Sequence, residues 1–445
     1  MMNSFRRIAM IVWALGGLVC ITCKPSDAPT EDDPTIQAPT TLETVAVGPR
    51  YQFGVLKADD KHLATDYDAG VRLAVIGVYW ADYEPTENGG FDAAYRSKQV
   101  ALVSKYRNAG YKVSLAAHLG KPPAWLSGNP AMQHHSQFAL VDAGAGLSYS
   151  GLPNIEFRQS VRVRAARFIG DVVGHMGTVD DYRVGLEATD EIGYPHTKHG
   201  EWWAFDDAAQ GRDTGDLPPG AKPNPYPGWI PGQSIYQGRS FAPADAKAWY
   251  DWYFGAMVAA HDWVIRAHRN AGFQGIIQLP TPGVGVSPVL YRARINELLA
   301  PDSTKDPLGM MNTGAVRYLF FNQLQERAHL MLDISSVYDT SGHPRGNHCQ
   351  VGDDEADFLG DPSIAANWSS TRWLALMGRQ SGFPLIGENP GYDDAATMHQ
   401  ATALMKACNL QGLQWAFDDQ LYAADGGFAT ISDYAATIDA YNAPK

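Results

Sequence analysis

The segment Ala93–Ala117, reading AAYRSKQVALVSKYRNAGYKVSLAA, decides the fold. A helical stretch runs from Ala93 to Ala109, stops at Gly110, and gives way at once to an apolar strand, Lys112–Ala117. Glycine just past a helix takes the left-handed conformation that closes the last turn without a Cβ penalty. The same grammar recurs in Gln159–Gly174 and in Pro243–Ala271, which ends at Gly272 and leads into a strand at Gly275–Leu279. Further short runs with β-branched residues are Tyr51–Leu56, Arg72–Val78, Tyr182–Glu187, Leu330–Val337, Pro384–Gly387 and Gly412–Trp415. Eight strands alternating with helices over about 390 residues predict an α/β fold, a (β/α)8 TIM barrel with long loops. A doubly wound open sheet is the competing arrangement, but no Gly-rich phosphate fingerprint follows the first strand.

The 445 residues divide into a leader (1–23), a tether (24–48) and a barrel domain (49–445). Arg6 and Arg7 precede the apolar run Ile8 to Thr22, and a Pro/Thr/Asp-rich stretch follows. That is the layout of an export signal, with an apolar run shorter than a membrane-spanning helix needs. Cys23 stands where a bacterial lipoprotein carries its lipid, although Cys20-Ile21-Thr22 departs from a small-residue lipobox. The expectation is an exported protein, secreted or held at the cell envelope, with membrane attachment only through an N-terminal lipid. Cys349 and Cys408 remain in the body and have the option of one disulfide in an oxidising compartment.

Hydrophobic residues make up 45% of the chain, enough for a large core and too many for a disordered polypeptide. A net charge of −13 argues against nucleic acid as a partner. No cofactor is expected. The histidines form no zinc-spaced cluster, and Gly283 and Gly285 lack a phosphate-binding context. Trp202, Trp203 and Trp229 fall in a Gly/Pro-rich loop from His196 to Gly238, which reads as an ordered wall of a cleft. Trp249, Trp252, Tyr253 and Trp263 have helical spacing and read as a core face. The acidic run Asp353–Asp357 reads as a solvated loop.

In such a barrel the chemistry sits where the strands end. Those ends supply Trp80, His118, Asp190-Glu191, Tyr338, Glu388 and Trp415. Glu191 and Glu388 come from opposite sides of one mouth. Paired carboxyls of this kind are what glycoside hydrolysis uses: one acid protonates the leaving oxygen, while the other attacks or activates water. Both lie in turn-forming contexts, Asp-Glu-Ile-Gly-Tyr-Pro and Gly-Glu-Asn-Pro-Gly-Tyr, which present a side chain upward.

The residues Arg72–Pro85, RLAVIGVYWADYEP, resemble the second strand and loop of clan A glycoside hydrolases, closest to the family 42 β-galactosidase type. Gly90-Phe91-Asp92, Gly110–Val113 and Pro122–Leu126 continue the likeness. Val184–Gly193 is similar to the family segment ending in Asn-Glu-Tyr-Gly, and Phe383–Glu388 to its seventh strand. The resemblance implies a retaining mechanism, with Glu191 as acid/base and Glu388 as nucleophile, their carboxyl groups about 5–5.5 Å apart. It also implies a sugar-stacking Trp415 and a Tyr338 that orients Glu388, unless Tyr338 is a packing residue. His118 is either a sugar contact or a satisfied buried polar group, and Trp80 is expected to wall the site. One residue departs from the family pattern: Asp190 replaces the asparagine that donates to the sugar 2-hydroxyl, and an ionised Asp only accepts. Three functions follow in order: a hydrolase of β-linked glycosides, an endo-acting polysaccharide hydrolase, and a surface carbohydrate-binding protein without turnover.

Overall fold

The computed structural model describes residues 51–87, 90–139, 148–196, 200–283, 285–299, 311–335, 337–338, 347–357, 361–365, 368–389, 393–423 and 426–443. The leader, the tether and Cys23 lie outside the described residues. Among those residues no helix is long and apolar enough to cross a membrane.

Eight parallel strands close a barrel in sequence order, the last pairing with the first. They are β1 (Gln52–Leu56), β2 (Leu73–Tyr79), β3 (Lys112–His118) and β4 (Asp181–Arg183), then β5 (Ile276–Thr281), β6 (Leu330–Ile334), β7 (Leu385–Glu388) and β8 (Gly412–Phe417). All eight expected strands are present. Helices around them include α1 (Leu63–Asp68), α2 (Ala93–Asn108), α3 (Gln159–His175) and α4 (Pro243–Asn270), followed by α5 (Arg317–Gln323), α6 (Ser370–Gln380), α7 (Ala395–Ala407) and α8 (Ile431–Asn442). Asp92 caps α2 by accepting from the Tyr95 N–H, and Gly110 closes it at φ 90°. Gly272 does the same for α4 at φ 106°. The ends of the barrel domain meet: the Tyr51 N–H donates to Asn442 Oδ1 at 3.1 Å, and Asn442 Nδ2 donates back to Tyr51 O at 3.3 Å.

β4 is shorter than the sequence predicts. Its ladder stops at Arg183 because the chain then doubles back, with the N–H groups of Leu186 and Glu187 reaching the Glu191 carbonyl at 3.2 and 3.3 Å. A Cβ at Gly185 would lie 1.8 Å from the Asp190 carbonyl oxygen, so the turn requires glycine there. This turn, rather than the strand itself, carries Glu191.

The barrel interior is layered. Leu73, Ile276, Met331 and Ile386 form an apolar floor. Above it lies a polar layer in which Arg183 reaches Asp333 and Gln414, and Gln414 reaches Gln278. Barrels of this kind usually fill such a layer with Val, Ile and Leu. The main apolar core lies between the strands and the helices.

The described part of the 196–238 loop is ordered, but its tryptophans do not line a cleft. Trp202 and Trp229 pack edge-on against Trp249 of α4, and Trp203 is enclosed with its indole N–H on Pro195 O at 2.9 Å. Burying such large apolar surfaces favours the interior over a wet wall. Trp249 and Tyr253 form the expected core face, whereas Trp252 and Trp263 are half-buried beside it. In the acidic run Asp354, Glu355 and Asp357 are exposed as expected, but Asp353 is buried and grips Arg372 at 2.6 Å. A disulfide joins Cys349 to Cys408, with Cα atoms 5.0 Å apart, and closes a loop of 59 residues. On a chain-entropy argument that stabilises the fold by about 4 kcal/mol.

Candidate active site

The turn after β4 and the end of β7 bring the two glutamates to the mouth of the barrel. Glu191 Oε1 accepts from the Ser335 hydroxyl at 2.5 Å, just beyond β6, and its Oε2 lies 3.0 Å from the Thr189 hydroxyl. Burial pushes the Glu191 carboxyl above the ordinary range, and the negative charge of Glu388 pushes the same way. The hydrogen bonds from Ser335 and Thr189, and the charge of Arg317, oppose the rise. Arg317 is itself buried, with its guanidinium on Ile192 O and Pro282 O at 3.0 Å, and desolvation lowers it to about 10.

Glu388 is the last residue of β7 and stands in a different setting. Its Oε2 contacts Arg183 Nη2, while Arg183 Nη1 donates to Asp333 Oδ2 at 2.7 Å. One carboxyl at the mouth is thus desolvated and favours its proton, and the other is clasped by a guanidinium. Separated environments of this kind divide acid from base among paired carboxyls.

Asp190 adopts φ 62°, a left-handed conformation that turns its side chain toward β3, where it contacts His118 Nδ1. Tyr79, the last residue of β2, stacks on His118 with ring centroids 4.6 Å apart. Gly77 makes room for that pair, since a Cβ there would sit 2.6 Å from His118 Nε2. Tyr338 lies next to the end of β7, its N–H on Asn389 Oδ1 at 3.3 Å. A cavity of about 500 Å³ beside Tyr79 is lined by Lys57, Lys61, Lys98, Gln99 and Lys105 among others.

Two expected site residues belong elsewhere. Trp80 is 0% exposed, stacked on Phe168 of α3 with its indole N–H on Glu84 Oε2 at 3.0 Å, so it is a core residue behind the wall. Trp415 is also 0% exposed, at the point where the β1–β8 register slips, so it offers no open ring face to a sugar. Sequence reading missed Arg183, Asp333, Ser335 and Arg317, which meet the glutamates only through contacts distant in the chain. It also missed that Glu187, Glu191 and His196 bring ligand atoms within 4.8 Å of one another, a grouping that could hold a metal ion. Glu187 is committed locally, accepting from the Thr189 N–H and hydroxyl, each at 2.6 Å.

This architecture recurs among solved structures. The catalytic domain of the β-amylase from Paenibacillus polymyxa superposes with a TM-score of 0.59 at 15% identity, covering 90% of this chain and 100% of that one. The β-galactosidase from the psychrophilic Marinomonas ef1 gives 0.51 at 13% identity, covering 87% of this chain. This chain spans 59% of that β-galactosidase. At such identities the likeness is one of fold. No protein-family model matches the chain, and no curated protein matches it by sequence.

Proposed function

We propose that the protein is a glycoside hydrolase cleaving a β-linked sugar by double displacement. The observation that carries this reading is the pair of carboxyls at one barrel mouth in opposed settings, Glu191 desolvated and Glu388 clasped by Arg183. In the first step a Glu388 oxygen bonds to the anomeric carbon while Glu191 gives its proton to the departing glycosidic oxygen. In the second, the Glu191 carboxylate takes a proton from water as that water's oxygen displaces Glu388, and both residues return to their starting forms. A likeness of fold to an amylase and a β-galactosidase supports the class of reaction and leaves the sugar open. Asp190 is engaged by His118, which sets the site apart from the family 42 pattern and argues for a different contact to the 2-hydroxyl.

The leader adds that the reaction takes place outside the cytoplasm, and the Cys349–Cys408 disulfide accords with an oxidising compartment.

The test is hydrolysis of aryl β-glycosides and of plant, algal and bacterial polysaccharides by the purified protein. Glu388→Ala should abolish turnover on every substrate that the wild type cleaves. Glu191→Gln should lower kcat/KM by about 10²–10⁴-fold when the leaving group is a poor one, and far less for a nitrophenyl glycoside, which needs no proton to depart, while kcat falls for both because the second step loses its base. Undiminished activity of Glu388→Ala would remove the assignment.

A further inference from the structure

Arg183 from β4, Asp333 from β6 and Glu388 from β7 converge inside the barrel just below the mouth. Arg183 Nη1 donates to Asp333 Oδ2 at 2.7 Å and to Gln414 Oε1 at 3.2 Å, and Nη2 contacts Glu388 Oε2. Arg183 is 5% exposed as a side chain, Asp333 0% and Glu388 15%. Among the described residues no second lysine or arginine forms an ion pair with either carboxyl. Two ionised carboxylates against one guanidinium would leave a net negative charge in a nearly dry layer, which the loss of solvation strongly disfavours. A buried acid in that position keeps its proton instead.

We infer that Asp333 is a neutral acid whose proton, shared toward Glu388, positions that carboxylate together with the Arg183 clamp. The inference rests on the reading of Glu388 as nucleophile. The proton belongs on Asp333 because Asp333 is the more enclosed of the two, while Glu388 still meets the mouth. Among the described residues Asp333 Oδ1 has no hydrogen-bond partner, so it is the oxygen left over for the proton. Burial raises the Asp333 carboxyl far above the carboxylate range, and the facing Glu388 and Asp181 add to the rise while Arg183 opposes it. Asp181, the other acid of the layer, is pushed up to about 7 by its own burial. The guanidinium charge is therefore left to Glu388. Asp333 is a positioning residue that acts through Glu388.

Two measurements test this. In infrared difference spectra at neutral pH, wild type should show a protonated-carboxyl stretch that is missing from Asp333→Asn. The same band should vanish in Glu388→Gln, because Asp333 then ionises against Arg183 alone. In kinetics, Asp333→Ala should lower kcat about a hundredfold through loss of alignment, with KM little changed. Asp333→Asn, whose amide N–H replaces the acid O–H, should recover most of that loss. A folded Asp333→Asn that is as inactive as Asp333→Ala, or that leaves the infrared band in place, means that Asp333 is ionised and overturns the inference. If Asp333→Asn does not fold, the Glu388→Gln spectrum decides: a band that persists refutes the charge count. Absence of any glycosidase activity in the wild type would remove the proposed reaction, yet the spectra would still settle where the proton lies.

Discussion

The Ser335 hydroxyl stabilises the ionised form of Glu191, so it works against the proton that a general acid must carry. Ser335→Ala should raise the Glu191 pKa further. Activity that needs a protonated Glu191 falls as pH rises through that value, so the alkaline limb of kcat/KM should move to higher pH in the variant. An unchanged or acid-shifted limb would show that Ser335 does not tune Glu191. Trp80 supplies a contrasting case. As a core residue it predicts that Trp80→Ala costs about 3–5 kcal/mol of stability, read by denaturant unfolding, with KM changed little in the fraction that stays folded. The sequence could not separate Tyr79 from Trp80, because nothing local marks that β2 stops at Tyr79 and that Trp80 opens a short helix, Trp80–Tyr83, with its ring on Phe168. Tyr79 pairs with His118 across β2 and β3, and the two rings stack, which sets the tyrosine beside the site.

Strands and their order were legible because an apolar run marks each strand and a glycine stop closes several of the helices, as at Gly110 and Gly272. The turn that presents Glu191 was not, since it depends on a backbone clasp rather than on composition. Gly185→Ala tests the clasp. Its Cβ would collide with the Asp190 carbonyl, so the turn must open, and kcat/KM should drop by at least about tenfold while circular dichroism still reports a folded barrel. Wild-type activity would mean that the turn accommodates a side chain. Asp190-Glu191 and Glu388 were visible as strand-end acids, whereas Arg183 is simply the second residue of the predicted strand Tyr182–Glu187. Its partners Asp333 and Glu388 lie 150 and 205 residues away, and nothing local marks that meeting. The register slip that encloses Trp415 is equally silent in sequence, being a property of the β1–β8 pair.

At the scale of the molecule, buried titratable groups set how stability follows pH. Burial pushes the carboxyls of Glu156 and Asp418 up to about 8 and that of Asp181 to about 7. The unfolded chain releases those protons near pH 4, so stability is lost as pH rises from there through 7 and 8. Burial also lowers His134 to about 3 and both His261 and His268 to about 4. These histidines would charge near pH 6.5 once exposed, so stability is lost as pH falls below that value. The two effects oppose each other between about pH 4 and 6.5, where the melting temperature should be highest. Calorimetry should show a fall from pH 6 to 8.5, and a rise over that range would contradict the assignment of protons to these acids.

The mutual hydrogen bonds of Tyr51 and Asn442 make the barrel a ring without a privileged starting point. A gene recut so that a short linker joins residue 443 to residue 51, with new ends opened in an outer loop away from the mouth, should still enclose both glutamates. Synthesis order would then be a matter of ancestry, and the wheel of strands would turn to any beginning.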